Sequence, residues 1–253
     1  MGYYAYEDID RKIDITAKEA AKKDISISYY CPNPVCDAHL HVCSVNGSMS
    51  AHFRATLSKH RHIPGCLFGE HGSYYPEDSD EDSFNFENMI NGLMKPAPTK
   101  STESGISVHG SEASEIKPLH TLLQVYRMCK AHLPRDTYNG LPMGKMLLCD
   151  KSAYFWPKGL YGPLIIEGMC RKRFYDQDKK EIYLTAPIKK NNYNLVLRFG
   201  NLKAFMSLKD QLFHNRNKII IVGGIWKYYG IYGTFCTEII SRKQYKVLNE
   251  III

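Results

Sequence analysis

Two short runs in the first quarter of the chain carry the residue types that bind metals. Cys31-Pro-Asn-Pro-Val-Cys36 sets two thiols four residues apart in a turn held by prolines, and His60-Arg-His62-Ile-Pro-Gly-Cys66 follows about thirty residues on. A structural zinc site needs four soft or borderline donors in a tetrahedron, delivered as two turn-borne pairs. Cys-x4-Cys followed by His-x3-Cys meets that demand, so Cys31, Cys36, His62 and Cys66 are the expected ligands of one zinc ion. His62 is preferred because one tight turn can present it with Cys66, and His52 and His60 are the alternatives. Cys43 reads as a core thiol. A catalytic zinc on His39 and His41 would need an open position and a nearby general base, and no base is identifiable there.

A second set of residues has the chemistry of single-strand recognition, which requires cations to follow phosphates and aromatic faces to stack bases. Arg171, Lys172, Arg173 and Phe174 lie in a basic turn expected to run to Lys180. Trp226, Lys227, Tyr228 and Tyr229 open a second stretch, Trp226-Lys-Tyr-Tyr-Gly-Ile-Tyr-Gly233. Tyr183 and Arg198 sit on the strands expected between the two. These ten side chains are the candidate nucleic-acid contacts, with single-stranded DNA as the expected ligand.

The elements that must position these groups are legible in the spacing. Thr16-Ala-Lys-Glu19 has the spacing of a reciprocal helix cap, which predicts a helix of about two turns through Lys23. Ile25, Ile27 and Tyr29 alternate with Ser26, Ser28 and Tyr30 as in a short strand. Leu40 to Val45 and Ala51 to Arg54 read as two strands around a turn at Gly47, the scaffold of a zinc ribbon. Leu119, Leu122, Leu123, Tyr126, Cys129 and Leu133 recur at helical spacing, with Pro118 suited to the first turn and Pro134 ending the helix. Beyond residue 160, strands are expected at Pro163–Cys170, Glu181–Thr185 and Tyr193–Phe199. A helix at Ala204–Phe213 and strands at Lys218–Trp226 and Thr234–Ile240 complete the series. Three strands, a helix and two strands is the element order of an OB-fold. The adjacent Gly223 and Gly224 mark a bulge or close backbone approach where a barrel closes.

The run from Tyr3 to Cys66, with Tyr30-Cys31-Pro32, His52-Phe53 and Lys59 to Cys66, resembles the N-terminal zinc-finger-like region of competence CoiA-like and related bacterial proteins. The resemblance covers about a quarter of the chain and implies the same ligands: Cys31, Cys36, His62 and Cys66. The family's Cys-x2-Cys is here Cys-x4-Cys. No nuclease-like set of an Asp with a Glu-x-Lys is identified downstream, so the nuclease activity suggested for that family is not transferred.

The chain has 253 residues, 44% hydrophobic and 23% charged, an ordinary globular composition. Residues 151–253 carry a net charge of +11 and residues 72–118 a net charge of −6, the asymmetry expected of a polyanion binder with an acidic tether. The expected fold class is mainly β with few helices: a small zinc-ribbon-like module over 1–71, an acidic, Ser-rich linker over 72–117, and a helix plus OB-fold-like barrel over 118–253. Phe84, Phe86, Met89, Ile90, Leu93 and Met94 interrupt the linker, so 84–94 is a candidate amphipathic helix or partner-docking peptide. The longest apolar run, Ile219 to Trp226, is 8 residues, short of the roughly 20 a membrane helix needs. With no apolar leader visible, a cytoplasmic location is expected. The sequence contains no Gly-x4-Gly-Lys-Ser/Thr loop and no Gly-x-Ser-x-Gly elbow. The function expected is a non-enzymatic zinc protein that binds nucleic acid; the alternatives are an interaction adaptor built from the same two folds or a metal-dependent nuclease.

Overall fold

The computed structural model describes residues 2–46, 50–69, 74, 79–96, 118–186 and 193–248. The first module is an antiparallel sheet in the order β2-β1-β3-β4-β5, built from β1 (Tyr4–Tyr6), β2 (Asp14–Thr16), β3 (Tyr29–Tyr30), β4 (His39–Cys43) and β5 (His52–Arg54). Gly2, just ahead of β1, bridges Phe53 of β5, so the sheet curls back on its own first residues. The reciprocal cap forms as the spacing predicts: the Glu19 amide donates to Thr16 Oγ1 at 3.3 Å and the Thr16 amide to Glu19 Oε2 at 2.9 Å. The helix behind it, α1 (Ala17–Ala20), is only one turn long. The strand expected from Ile25 shrinks to Tyr29 and Tyr30, because the Asp24 carboxylate takes the Ser26 amide at 2.9 Å and turns the chain, leaving Ile25 and Ile27 exposed. The ribbon strands β4 and β5 pair Val42 with Phe53; the tip of their turn, with Gly47, lies outside the described residues.

The second module is a five-stranded barrel. Its strands are β9 (Gly162–Asp176), β10 (Glu181–Thr185), β11 (Asn194–Phe199), β12 (Ile220–Tyr228) and β13 (Thr234–Ile239), with helix α5 (Leu202–Phe213) between β11 and β12. Antiparallel pairs join β9 to β10, β10 to β11 and β12 to β13; β11 runs parallel to β13, and β12 closes on β9 over seven residue pairs. This order and the placement of the helix are those of an OB-fold-like barrel. Leu164, Ile166, Ile182, Leu184, Leu195, Leu197, Val222 and Trp226 fill its interior, and Phe205, Leu208 and Leu212 of α5 join the same core. Asn201 caps α5 through the Lys203 and Ala204 amides.

The paired glycines mark a close approach rather than a bulge. The β9–β12 register runs through Gly223 and Gly224 without a break. A Cβ on Gly224 would stand 2.3 Å from Thr237 Oγ1, and one on Gly223 would meet Leu93 and Leu122 at about 3.1 and 3.0 Å. Helices therefore rest on bare backbone. Those helices are α2 (Phe86–Met94), capped by Asn85, and α3 (Leu122–Ala131), capped by Thr121 rather than opened by Pro118. Helix α2 falls inside the stretch expected as a linker. Its apolar face, Phe86, Met89, Ile90 and Leu93, is buried on the chain's own barrel, so the surface that suggested a partner at 84–94 is consumed internally. Only Glu87, Asn88 and Asn91 of that helix remain exposed. The rest of 97–117 lies outside the described residues.

Two short strands, β6 (Thr137–Tyr138) and β7 (Leu141–Pro142), form a hairpin, and helix α4 (Met143–Met146) leads into β8 (Leu147–Leu148), which runs parallel to β9. A last strand, β14 (Tyr245–Val247), pairs with the start of β12. One apolar core joins the N-terminal sheet, α2, α3 and α4 to Ile165 and Ile221 of the barrel strands and to Ile219 just ahead of β12. A buried ion pair is set into this junction. Lys130 Nζ of α3 donates to Glu167 Oε1 of β9 at 2.9 Å, and the Tyr126 hydroxyl donates to the same oxygen at 2.8 Å. Burial opposes the charge on Lys130, but Glu167 outweighs it and lifts the ammonium above the usual lysine range. Replacing Lys130 by Met should leave the buried Glu167 without its counter-ion and with only the Tyr126 hydroxyl, costing about 3–5 kcal/mol in denaturant unfolding, and replacing Glu167 as well should recover much of the loss.

Candidate metal centre and barrel face

The N-terminal sheet brings four distant donors together. Cys31 follows β3, Cys36 ends the proline turn, and His62 and Cys66 lie on the loop after β5. Their ligand atoms all lie within 4.8 Å of one another, a group that could hold a metal ion. Cys31 Sγ is 3.5 Å from His62 Nδ1 and 3.7 Å from Cys66 Sγ, and Cys36 Sγ is 3.6 Å from His62 Nδ1. All three thiols are buried. Gly65, at φ +79°, makes the left-handed turn that lets His62 and Cys66 face one point.

The alternative histidines are engaged elsewhere. His52 is buried with Nδ1 3.0 Å from the Ser50 carbonyl, while His60 stacks on His39 with ring centroids 4.1 Å apart. His41 and Cys43 stand on β4 outside the cluster.

Within the cluster, Cys31, Cys36 and His62 hold their protons unequally. Burial pushes the Cys31 thiol well up, whereas hydrogen bonds from Cys31 and Cys66 hold the Cys36 sulfur far below the usual thiol range. Burial also works against charge on His62, yet the sulfurs of Cys36 and Cys66 outweigh it and raise the imidazole to about 9. Metal loading at neutral pH therefore displaces protons, so affinity falls as the pH falls. Asn33 supplies two N–H···S contacts, from its amide to Cys31 at 3.5 Å and from Nδ2 to Cys66 at 3.7 Å.

One supporting residue has no counterpart among the sequence motifs. Arg11, at the tip of the β1–β2 hairpin with φ +56°, reaches across to the first knuckle. Its Nε donates to the Cys31 carbonyl at 2.9 Å and its second terminal nitrogen to the Cys36 carbonyl at 3.0 Å. A planar fork bridging the two knuckle carbonyls fixes the distance between the thiols that follow from them. Nothing in the local sequence marks this interaction, which spans 20 and 25 residues. Arg11→Ala should lower metal affinity by about tenfold in competition with a chelator, the low end of the effect of removing a group that supports the ligands.

The ten residues expected to meet nucleic acid separate into two groups. Trp226 is 1% exposed with its Nε1 bonded to the Leu164 carbonyl at 3.1 Å, and Phe174 is equally buried beneath the Arg216 guanidinium. Neither ring can stack on a base, because barrel closure needs their volume inside. The other eight reach the surface. The basic stretch expected as a turn is strand β9 as far as Asp176, and the turn is confined to 177–180. Opposite β10 the register slips, with Ile182 facing Tyr175 and Leu184 facing Cys170. Arg171, Lys172 and Arg173 fall in this bulge, exposed, and form no ion pair among the described residues. Lys227 is less free, lying 3.6 Å from Glu238.

Tyr183, Arg198 and Tyr229 converge on the outer face of β10 and β11. All three meet the carboxylate of Glu181, which the sequence did not single out. At the mouth of the barrel, Tyr161, Tyr193 and Tyr228 stand edge-on around the Phe235 ring at 5.5, 5.4 and 6.3 Å, and Tyr232 is 96% exposed. These rings can offer the faces that Trp226 and Phe174 cannot.

Comparison with protein-family models, with curated proteins and with solved structures finds no match to this chain. The structure bears out a Cys3His group near the N-terminus that could hold a metal ion, and no family model confirms the resemblance of residues 3–66 to the competence CoiA-like region. Among the described residues, no helix is long and apolar enough to cross a membrane.

Proposed function

We propose that this protein is a non-enzymatic nucleic-acid-binding protein, in which one structural zinc ion holds the N-terminal module together and the OB-like barrel engages single-stranded DNA. The observation that supports the barrel's role most directly is the convergence of Tyr183, Arg198 and Tyr229 with the exposed basic bulge Arg171–Arg173. They lie on the first three strands and on the loop between the last two, the part of an OB-fold that takes up oligonucleotides. Cations can track phosphates there while tyrosine faces accept unpaired bases.

Zinc is favoured by the donor set, since three thiols and one imidazole suit a closed tetrahedral site. Zinc–sulfur bonds of about 2.3 Å and zinc–nitrogen bonds of about 2.0–2.1 Å would put tetrahedral donors roughly 3.6–3.8 Å apart. The separations of 3.5, 3.6 and 3.7 Å lie close to that. With all four positions supplied by protein, no coordination site is left for substrate, which suits a structural rather than a catalytic ion. Metal analysis should find one zinc per chain, and Cys31→Ser or Cys66→Ser should remove it and loosen the N-terminal sheet. Less than half an equivalent in native protein would refute the assignment.

The nucleic-acid reading is tested by titrating labelled single-stranded and duplex oligonucleotides across a salt series. Single strands should bind better, because only unpaired bases present faces to the tyrosines. Replacing Arg171, Lys172 and Arg173 together by Ala should weaken both ligands and reduce the salt slope for single strands by about 2, at roughly 0.7 for each phosphate no longer neutralised. A folded protein that binds neither ligand at low salt would turn the assignment to the adaptor reading.

A further inference from the structure

Glu181 is an anomaly on a face proposed to meet phosphates. Its side chain is 3% exposed, and its carboxylate accepts from three donors in three different segments. The Tyr183 hydroxyl, two residues along β10, donates to Oε2 at 2.9 Å. Arg198 Nε of β11 donates to Oε1 at 3.1 Å. The Tyr229 hydroxyl, from the loop between β12 and β13, reaches both oxygens, at 3.1 and 2.9 Å. The Arg198 guanidinium also lies over the Tyr229 ring, 5.4 Å from its centroid, with nearly half of the arginine side chain exposed. One carboxylate thus ties two strands and a loop together and holds an arginine guanidinium over a tyrosine ring.

We propose that Glu181 is a positioning residue, which holds Tyr229 and Arg198 as a ready-made stack whose open guanidinium plane receives one unpaired base. This inference rests on the nucleic-acid reading above and specifies how that face works. Guanidinium planes are a recognised support for splayed bases, and an arginine already held flat loses little freedom when a base arrives. The charge of Glu181 is offset locally by Arg198, leaving Arg171, Lys172 and Arg173 to attract the backbone.

The test turns on a sign. Simple electrostatics predicts that Glu181→Gln, by removing a negative charge beside a polyanion, tightens binding; positioning predicts that it weakens binding, because an amide cannot accept from both tyrosines and the arginine. The full-length protein and its variants are titrated with a short labelled oligothymidylate at two salt concentrations, with thermal melting as the fold control. Glu181→Gln is expected to lose about five- to tenfold in affinity. Tyr229→Phe, which keeps the ring and drops the hydroxyl shared between the two carboxylate oxygens, should lose affinity in the same direction. Arg198→Lys, which keeps the charge and loses the plane, should cost about tenfold or more with the salt slope unchanged. Equal or tighter binding by folded Glu181→Gln, or wild-type affinity in Arg198→Lys, would overturn the proposal. Should Glu181→Gln fail to fold, Tyr229→Phe and Arg198→Lys decide it on the same criteria. If the wild-type protein itself binds no oligonucleotide at low salt, the nucleic-acid reading fails first and takes this one with it.

Discussion

The ladder between β9 and β12 carries the architecture. Seven consecutive pairs, from Gly168 opposite Ile220 to Gly162 opposite Trp226, close the barrel. One side of the ladder turns Leu164, Ile166, Val222 and Trp226 into the barrel interior, while the other offers Ile165 and Ile221 to the core shared with the N-terminal module. Because side chains alternate with period two, a slip of one residue would exchange the two sets, turning Trp226 and Val222 out of the barrel and Gly223 into it, and so mispack both cores at once. The glycine pair in β12 is the other half of the same constraint. Bare backbone at Gly223 lets α2 and α3 settle on the barrel, and at Gly224 it admits Thr237 as β13 comes alongside.

A second dependence runs from the edge of the N-terminal sheet to its metal centre. The donors come from two loops that share no strand pairing with each other, so their convergence relies on what holds the loops. Arg11 clasps the first loop through the Cys31 and Cys36 carbonyls, and Asn33 supplies N–H groups to sulfur. Nearby, Lys151 donates to the Tyr4 hydroxyl at 2.8 Å and lies about 5 Å from the centres of the Tyr4 and Tyr6 rings. Burial lowers its ammonium to about 8. This interaction joins the first strand of the module to the turn that leads into β9, so the metal module and the barrel are packed as neighbours with a shared interior.

On the barrel face, aromatic and charged groups are sorted by depth. Rings that the barrel needs for volume, Phe174 and Trp226, are inside. Those whose hydroxyls can be satisfied at the surface, Tyr183 and Tyr229, are held there by one acid. Burying a carboxylate so fully is costly unless its oxygens are well paired, and the three donors that meet Glu181 supply that pairing. The result is a patch whose geometry is set before any ligand arrives.

The four clustered donors were legible in the chain because each half of the cluster is a local motif: Cys31 with Cys36 and His62 with Cys66 are turn-sized pairs whose spacing survives any fold around them. The barrel was legible for a related reason, since alternation along β10 and β11 and the helix between β11 and β12 fix the element order without reference to distant contacts. Tertiary structure decided the rest. Whether an aromatic side chain in a polar stretch faces in or out depends on the register across β9 and on barrel closure, which is why Trp226 and Phe174 are core and the basic triplet occupies a bulge rather than a turn. Helix α2 could be anticipated from its apolar spacing, but its seat on Gly223 required the barrel to exist first. Arg11 and Glu181 left no local trace, because their partners lie up to 48 residues away and a lone charged residue in a sequence says nothing about which backbone carbonyl or hydroxyl it will meet.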